Sequence, residues 1–286
     1  NGEEGAYRYI ISNCRSARNV AEVYALASLT GWEGNKFLDV IPLFETIDDL
    51  ENARESMGKL YDNKSYRAHL NFRHNKQVVM LGFSDGTKDG GYLTANWGIF
   101  KAKENITSLS REHDIRVVFF DGRGGPPARG GGSTHKFYAS LGPTIESTQT
   151  QLTIQGQTIS SNFGSFNSAK FNVEQLLTAG LENNIRQDKD VVMNADQRIL
   201  LDELSGLSYA TYQSFKNDPL FVPYLEDISP LNYYAMANIG SRPSKRGTGN
   251  QLKFEDLRAI PFVGAWSQLK QNVPGYFGLG TACKKL

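Results

Sequence analysis

Short apolar runs of strand length alternate with helical patterns through the first half of this chain. The runs occupy residues 6–11, 38–44, 77–83, 115–120 and 152–155. A connection between parallel strands must cross back over the sheet, so alternating strands and helices indicate parallel βα units. From about Phe166 onward the pattern is helical and irregular. The sequence therefore predicts an α/β protein with additional C-terminal helices.

Helix boundary signals follow the first three runs. Ser16 can cap a helix that Gly31 can end, and Thr46 with Asp49 forms a capping-box-like pair ahead of the next helix. The predicted apolar faces are Val20, Val23, Tyr24 and Ala27, then Leu50, Ala53, Met57 and Leu60. A glycine-rich turn after the third run is predicted to lead into a helix over about 93–113.

The charge balance limits the possible partners. Lys and Arg total 31 against 30 for Asp and Glu, so the chain has no global basic field. This argues against nucleic acid or a membrane surface as the main partner. No apolar run approaches the ~20 residues of a membrane helix. Cys14 and Cys283 lie far apart without metal or redox spacing, which favours reduced thiols in a cytoplasmic protein.

Charged residues follow three of the predicted strands. Glu45 comes directly after residues 38–44, Asp85 follows the third run, and Asp121 follows the fourth. In an α/β barrel the carboxyl ends of successive parallel strands meet at one mouth, where barrel enzymes place their active sites. We therefore expect an active site formed by these strand ends.

Glu45 and Asp85 are candidate metal ligands. Two carboxylates from different strands, without thiols or clustered imidazoles, suit a hard cation such as Mg²⁺ or Mn²⁺. The simpler alternative is that such a carboxylate only stabilises a helix N-terminus by charge–dipole attraction. Paired carboxylates also occur in glycosidases, but the arginine-rich loop that follows suits an anionic substrate better.

The segment Gly122–Gly132 contains six glycines and two arginines. Glycines let backbone amides approach an anion closely, and Arg123 and Arg129 can each grip a phosphate or carboxylate in bidentate fashion. An RNA-binding disordered segment and a plain structural loop are the alternatives. Because the segment lies between a strand and a helix predicted to begin near Thr134, we favour an anion-gripping loop.

Several motifs, in the same order along the chain, resemble those of phosphoenolpyruvate carboxylases. They are Pro42-Leu43-Phe44-Glu45-Thr46, Ser84-Asp85-x-x-Lys88-Asp89-Gly90, Gly122-Arg123-Gly124-Gly125 with Arg129-Gly130-Gly131, Gln155-Gly156, Gly240-Ser241-Arg242-Pro243-x-Lys245-Arg246, and Leu257-Arg258-Ala259-Ile260-Pro261. The resemblance covers nearly the whole chain, and the combination is specific although no single motif is.

The resemblance implies an enzyme that joins bicarbonate to phosphoenolpyruvate, giving oxaloacetate and phosphate by way of carboxyphosphate and an enolate. Glu45 and Asp85 match the ligands of a divalent metal, Mg²⁺ or Mn²⁺, in that family. Lys88 matches the lysine beside the metal site, where it is expected to help hold an anion.

Four arginines also match the family. Arg123 and Arg129 correspond to a mobile glycine-rich loop near the substrates. Arg242 and Arg258, which on their own read as ordinary surface residues, correspond to arginines around the phosphate of phosphoenolpyruvate. The resemblance therefore adds two substrate-binding residues that spacing alone does not identify.

The resemblance also implies a fold and an assembly. The strands are expected to form the later part of a (β/α)8 TIM-type barrel, in a parent enzyme that is a homotetramer. We expect residues 1–165 to hold the barrel units with the metal and glycine-rich motifs. Residues 166–286 are expected to be a mainly helical region of the same catalytic domain, carrying the substrate-arginine loops.

Two positions depart from the family pattern. Asp121 stands where the family has a histidine before Gly-Arg-Gly-Gly, and Gln157 stands where glutamate is common. A carboxylate cannot replace an imidazole base near neutral pH unless its pKa is strongly raised. A histidine base and a further arginine are expected outside these residues, so we predict that the chain is inactive alone.

Two other functions remain open at this point. Another phosphoenolpyruvate-using barrel, of the dikinase or mutase type, would also ligate Mg²⁺ with Glu and Asp. A non-catalytic anion-binding module is the third possibility.

Overall fold

Five parallel strands form one sheet whose spatial order follows the order of the chain. In this computed structural model, residues 5–31, 38–185, 192–236 and 252–286 are described. The strands are β1 (Arg8–Ile11), β2 (Asp39–Phe44), β3 (Lys76–Gly82), β4 (Arg116–Gly122) and β5 (Thr150–Leu152). The predicted α/β class is confirmed, whereas closure into a barrel stays a prediction.

The sheet buries its central strands on both faces, as parallel sheets do. All residues of β2 after Asp39 are buried. Ile41, Val78 and Val118, one from each of β2, β3 and β4, form a common apolar cluster. This packing ties the three neighbouring strands together.

The helices, in chain order, are α1 (Ala17–Leu29), α2 (Ile47–Glu51), α3 (Ala53–Tyr61), α4 (Lys64–Phe72), α5 (Phe83–Gly90), α6 (Tyr92–Glu112), α7 (Thr134–Ala139), α8 (Gln157–Phe163), α9 (Phe166–Ile185), α10 (Ala195–Lys216), α11 (Phe221–Ile228), α12 (Leu231–Met236), α13 (Ala259–Gln268), α14 (Val273–Tyr276) and α15 (Leu279–Lys285). Short 3-10 turns lie at Pro127–Arg129 and Phe254–Asp256.

The predicted capping box before the second helix is confirmed. Thr46 Oγ1 accepts a hydrogen bond from the amide of Asp49 at 3.2 Å, and Asp49 Oδ2 accepts one from the amide of Thr46 at 3.1 Å. The helix that follows is divided in two at Asn52, where α2 ends and α3 begins. The predicted apolar residues from Leu50 to Leu60 are all buried in this pair.

The prediction of a glycine-rich turn after β3 is wrong, because that segment is the helix α5. Contacts from α10 satisfy the carbonyl groups at its end: Tyr212 donates to Lys88 O at 2.8 Å, and Lys216 donates to Asp89 O at 2.7 Å. The last carbonyl groups of a helix have no intrahelical donor and need such donors from elsewhere. Tertiary hydrogen bonding therefore overrides the low helix propensity of the glycines.

The last strand lies earlier than residues 152–155, the range predicted from the sequence. β5 pairs with Phe119, Phe120 and Asp121 of β4 through residues 150–152. Thr153 adds one more hydrogen bond, from its amide to Asp121 O at 3.0 Å. Gly156, with a φ of +61°, then leads the chain into α8.

The chain divides into two compact units. The sheet unit comprises residues 1–82, 98–122 and 133–192, and the helical unit comprises residues 83–97, 123–132 and 193–286. Each unit has one cysteine: Cys14 in the sheet unit is buried and Cys283 in the helical unit is exposed, and neither forms a disulfide. Among the described residues, no helix combines the length and apolar character needed to cross a membrane.

Candidate functional site

Glu45 lies in the sheet unit where β2 leads into α2. Its side chain is buried, and Oε2 accepts a hydrogen bond from the amide of Asn13 at 3.1 Å. The end of β3 comes close, since a Cβ atom on Gly82 would lie 3.0 Å from Glu45 Cγ. A glycine at that position leaves room for the glutamate side chain at the carboxyl end of the strands.

Two further predicted residues lie on α5 in the helical unit. Asp85 is in the first turn and partly exposed, although its neighbours Ser84 and Gly86 are buried. Lys88 is buried, and its Nζ donates a hydrogen bond to Phe254 O at 3.0 Å. The position of Asp85 suits the helix dipole as well as ligand binding.

The glycine-rich loop is held by its own backbone and by α5. The amides of Arg129 and Gly131 both donate to Pro126 O at 2.9 Å. Gly130 has a φ of +73°, and a Cβ atom there would lie 2.7 Å from Phe83 Cβ. Glycine is therefore required where the loop turns in the left-handed region against the start of α5.

Arg129 lies near Asp85 within the helical unit. Burial lowers the pKa of Arg129, and the negative charge of Asp85 opposes that shift. The Nε atom of Arg129 is buried and makes no hydrogen bond within the described part of the chain. A buried guanidinium nitrogen without an acceptor can donate to the oxygen of a bound anion.

Arg123, the other loop arginine, is buried beside Tyr92. Burial raises the pKa of Tyr92, and the positive charge of Arg123 opposes that rise. The Tyr92 hydroxyl donates to Gly131 O at 3.1 Å, which joins the start of α6 to the loop. Tyr92 thus contacts the loop and places its ring close to an arginine of the anion-binding motif.

Arg258 stands at the N-terminus of α13 and is partly buried. Its neighbour Leu257 belongs to the same buried cluster as Phe262 and as Ala128, which precedes Arg129 in the loop. One apolar core therefore supports the backbone beside both arginines. Arg242, the second arginine predicted to bind phosphate, lies outside the described residues.

Asp85, Lys88, Arg123 and Arg129 all belong to the helical unit, whereas Glu45 belongs to the sheet unit. Arg129 is the cationic side chain shown to interact with the partly exposed carboxylate of Asp85. Guanidinium and ammonium groups of this kind suit an anionic ligand. Within the described ranges, no group of three or more His, Cys, Asp or Glu residues is arranged to hold a metal ion.

Asp121 occupies the position at which the family resemblance implies a histidine. Its side chain is wholly buried in the sheet unit. Oδ2 accepts hydrogen bonds from Lys103 Nζ and from the Tyr138 hydroxyl, each at 2.8 Å. An ammonium group and a phenol hydroxyl therefore both hold this buried carboxylate in place.

Sequence reasoning missed Lys103 and Lys216. Lys103 lies on the buried face of α6 with Ile99 and Ile106, so helical spacing was a signal that could have identified it. Lys216 pairs with Asp89 at 3.2 Å, and no spacing in the sequence indicates that contact.

Comparisons with known proteins agree on one family. The family model described as phosphoenolpyruvate carboxylase matches residues 1–286. A phosphoenolpyruvate carboxylase of Corynebacterium efficiens is 38% identical over 283 residues, and the match covers 96% of this chain and 31% of that protein. One of Mycobacterium leprae is 36% identical over 288 residues, covering 98% and 31%. The chain therefore spans about a third of the length of these curated relatives.

Proposed function

The chain belongs to the phosphoenolpyruvate carboxylase family, and on that premise we propose that it supplies substrate- and metal-binding groups for the carboxylation of phosphoenolpyruvate by bicarbonate. The products are oxaloacetate and phosphate. Since the chain spans 31% of its relatives, we propose that it works within a longer polypeptide, called the parent protein below. The observation that carries the proposal is the buried, acceptor-free Nε of Arg129 beside Asp85.

The cationic residues of the helical unit have a common role in this proposal. Arg123 and Arg129 bind and orient the phosphate and bicarbonate anions, and Lys88 adds a third positive charge. Guanidinium and ammonium groups neutralise the charge that develops on a phosphoryl group during transfer. Arg258 and Arg242 are assigned to the phosphate of phosphoenolpyruvate from the family motifs.

Glu45 and Asp85 are proposed to hold Mg²⁺ or Mn²⁺. The donor set fits, because carboxylate oxygens are the ligands that these hard cations prefer, and Asp85 is the partly exposed residue of an otherwise largely buried turn. A bound divalent ion would supply Lewis-acid stabilisation of developing negative charge on oxygen. The hydrogen bond from Asn13 to Glu45 orients that carboxylate.

Asp121 has no part in proton transfer in this proposal, because it is wholly buried and paired with Lys103. The general base is assigned to the parent protein outside these residues. Homotetrameric assembly and a cytoplasmic location stay predictions from the family resemblance.

The proposal is tested by measuring oxaloacetate formation by the parent protein with and without bicarbonate. Bicarbonate-dependent oxaloacetate supports it, and turnover independent of bicarbonate favours a dikinase or mutase type of reaction. Phosphoenolpyruvate binding without turnover favours an anion-binding module. Arg129→Ala should lower kcat/KM by roughly 10–100-fold, since a charge-assisted hydrogen bond contributes ~1.5–3 kcal/mol. Arg18→Ala, at a side chain that is 84% exposed, is the matched control.

A further inference from the structure

One buried carboxylate joins the two chain segments that flank the glycine-rich loop. Asp121 lies in β4, just before the loop, and Tyr138 lies in α7, just after it. The Tyr138 hydroxyl donates to Asp121 Oδ2 at 2.8 Å across 17 residues of sequence. Both residues belong to the sheet unit.

Lys103 supplies a positive charge that offsets the cost of burying the Asp121 carboxylate. Its Nζ lies 2.8 Å from Asp121 Oδ2, and the exposed fractions of the two side chains are 1% and 0%. The ammonium group also lies 5.2 Å from the ring centroids of Phe119 and Phe137. A buried ion pair needs such additional favourable contacts to offset the loss of water.

The backbone of Asp121 is fixed as well. In the sheet it is in register with Leu81 of β3 and Leu152 of β5. Its carbonyl oxygen accepts a hydrogen bond from the amide of Thr153 at 3.0 Å. Asp121, just before the loop, is therefore held by strands on both sides. Its side chain in turn holds α7, just after the loop.

We propose that Asp121 is a positioning residue, whose carboxylate clamps the two chain segments that flank the glycine-rich loop and thereby restrains the segment that carries Arg123 and Arg129. This role rests on the proposed function for its catalytic consequence, but the clamp itself does not. Asp121 acts with Lys103 and Tyr138 in place of an imidazole: it restrains the loop and transfers no proton. The clamp limits the loop to motions that keep its two ends together.

The test compares Tyr138→Phe with Tyr61→Phe. Both changes remove one buried tyrosine hydroxyl of the sheet unit and keep the ring, but Tyr61 shares its hydrogen bond with Ser110 of α6 and not with a residue beside the loop. Trypsin cleavage of the unliganded chain after Arg129, followed by mass spectrometry, reports opening of the loop. We expect cleavage about tenfold faster in Tyr138→Phe than in Tyr61→Phe, because a hydrogen bond to a charged group is lost.

Equal cleavage rates in the two variants would overturn the clamp. In the parent protein, Tyr138→Phe should lower kcat about tenfold relative to Tyr61→Phe. The two variants should differ little in stability. Faster cleavage with unaltered kcat would overturn the positioning role. A parent protein that forms no oxaloacetate would refute the proposed function, while the cleavage comparison would still decide the clamp.

Discussion

Lys88 donates a hydrogen bond from Nζ to Phe254 O at 3.0 Å, and the same ammonium group lies 4.4 Å from the centroid of the Phe254 ring. A carbonyl oxygen and an aromatic ring of the helical unit therefore hold the ammonium group of this proposed anion-binding lysine in place. Such contacts fix the direction of a flexible side chain before any ligand binds.

Replacement of Lys88 by methionine should weaken use of phosphoenolpyruvate by the parent protein. We expect kcat/KM to fall by roughly 10–100-fold, because a charge-assisted contact to the anion is lost. Steady-state kinetics measure the effect, with Lys253→Met as the control, since Lys253 is exposed and adjoins Phe254. Equal kinetics for the two variants would remove Lys88 from the site.

Asp85→Asn should raise the Mn²⁺ concentration that gives half-maximal activity by at least about tenfold, because an amide is a weaker ligand than a carboxylate. Asp89→Asn is the control on the same helix. Asp89 pairs with Lys216, so this change should lower stability and leave the metal dependence as it was. An equal rise in the half-maximal Mn²⁺ concentration for both variants would contradict the assignment of Asp85.

The 286-residue chain assayed alone should form oxaloacetate at less than about a hundredth of the rate of its parent protein. The reason is that the family resemblance assigns the general base to residues outside the chain, and general acid–base assistance typically contributes 10²–10⁴-fold. A coupled oxaloacetate assay on both proteins, at equal active-site concentration, measures the ratio. A ratio within tenfold would refute this assignment of the base.

The sheet unit should lose stability at acid pH through Asp39. Burial alone would raise the pKa of this carboxyl group, but hydrogen bonds with His69 and Arg73 outweigh burial and hold the pKa below its ordinary value. A group with a lowered pKa in the folded state contributes stability that is present above about pH 4 and lost as the pH falls through the folded value.

Asp39→Asn should therefore flatten the decline in thermal stability below about pH 4. Thermal unfolding between pH 7 and pH 2.5, followed by circular dichroism, measures it. Asp114→Asn is the matched control, because this exposed residue has a φ of +54° that asparagine tolerates well. An unchanged slope in Asp39→Asn would show that another group governs the acid transition.

Gly131→Ala should disrupt the glycine-rich loop, because the added methyl group would collide with the carbonyl oxygens of Gly124 and Gly125. We expect a lower melting temperature and a kcat reduced by about tenfold or more in the parent protein. Gly206→Ala, in α10 of the same unit, has no atom within 4 Å of the new methyl group. That control should be stabilised by up to about 1 kcal/mol through helix propensity.

The sequence predicted the elements that have a strong local pattern. The third strand was located to within a residue of β3, the long helix to within a residue of α6, and the capping box at Thr46 and Asp49 was correct. These features depend on side-chain periodicity and on bonds between neighbours in the sequence, so local reasoning suffices for them.

Tertiary contacts decided what the sequence missed. α5 forms because side chains of α10 bond to its last carbonyl groups, and those partners are more than 120 residues away. Lys103 lies on the buried face of α6, which its helical spacing indicates, but its pairing with Asp121 is a tertiary contact that no local pattern predicts. That Glu45 and Asp85 bind one ion stays a prediction, since strand order alone places only their backbones.

The two cysteines should react with a thiol reagent at two very different rates. The thiolate is the reactive form of cysteine, and burial raises the pKa of Cys14 to about 11. At neutral pH a thiol reagent should modify Cys283 promptly and reach Cys14 only when the sheet unit opens. The slow phase of such a reaction would therefore report the opening equilibrium of the sheet unit, with no introduced label.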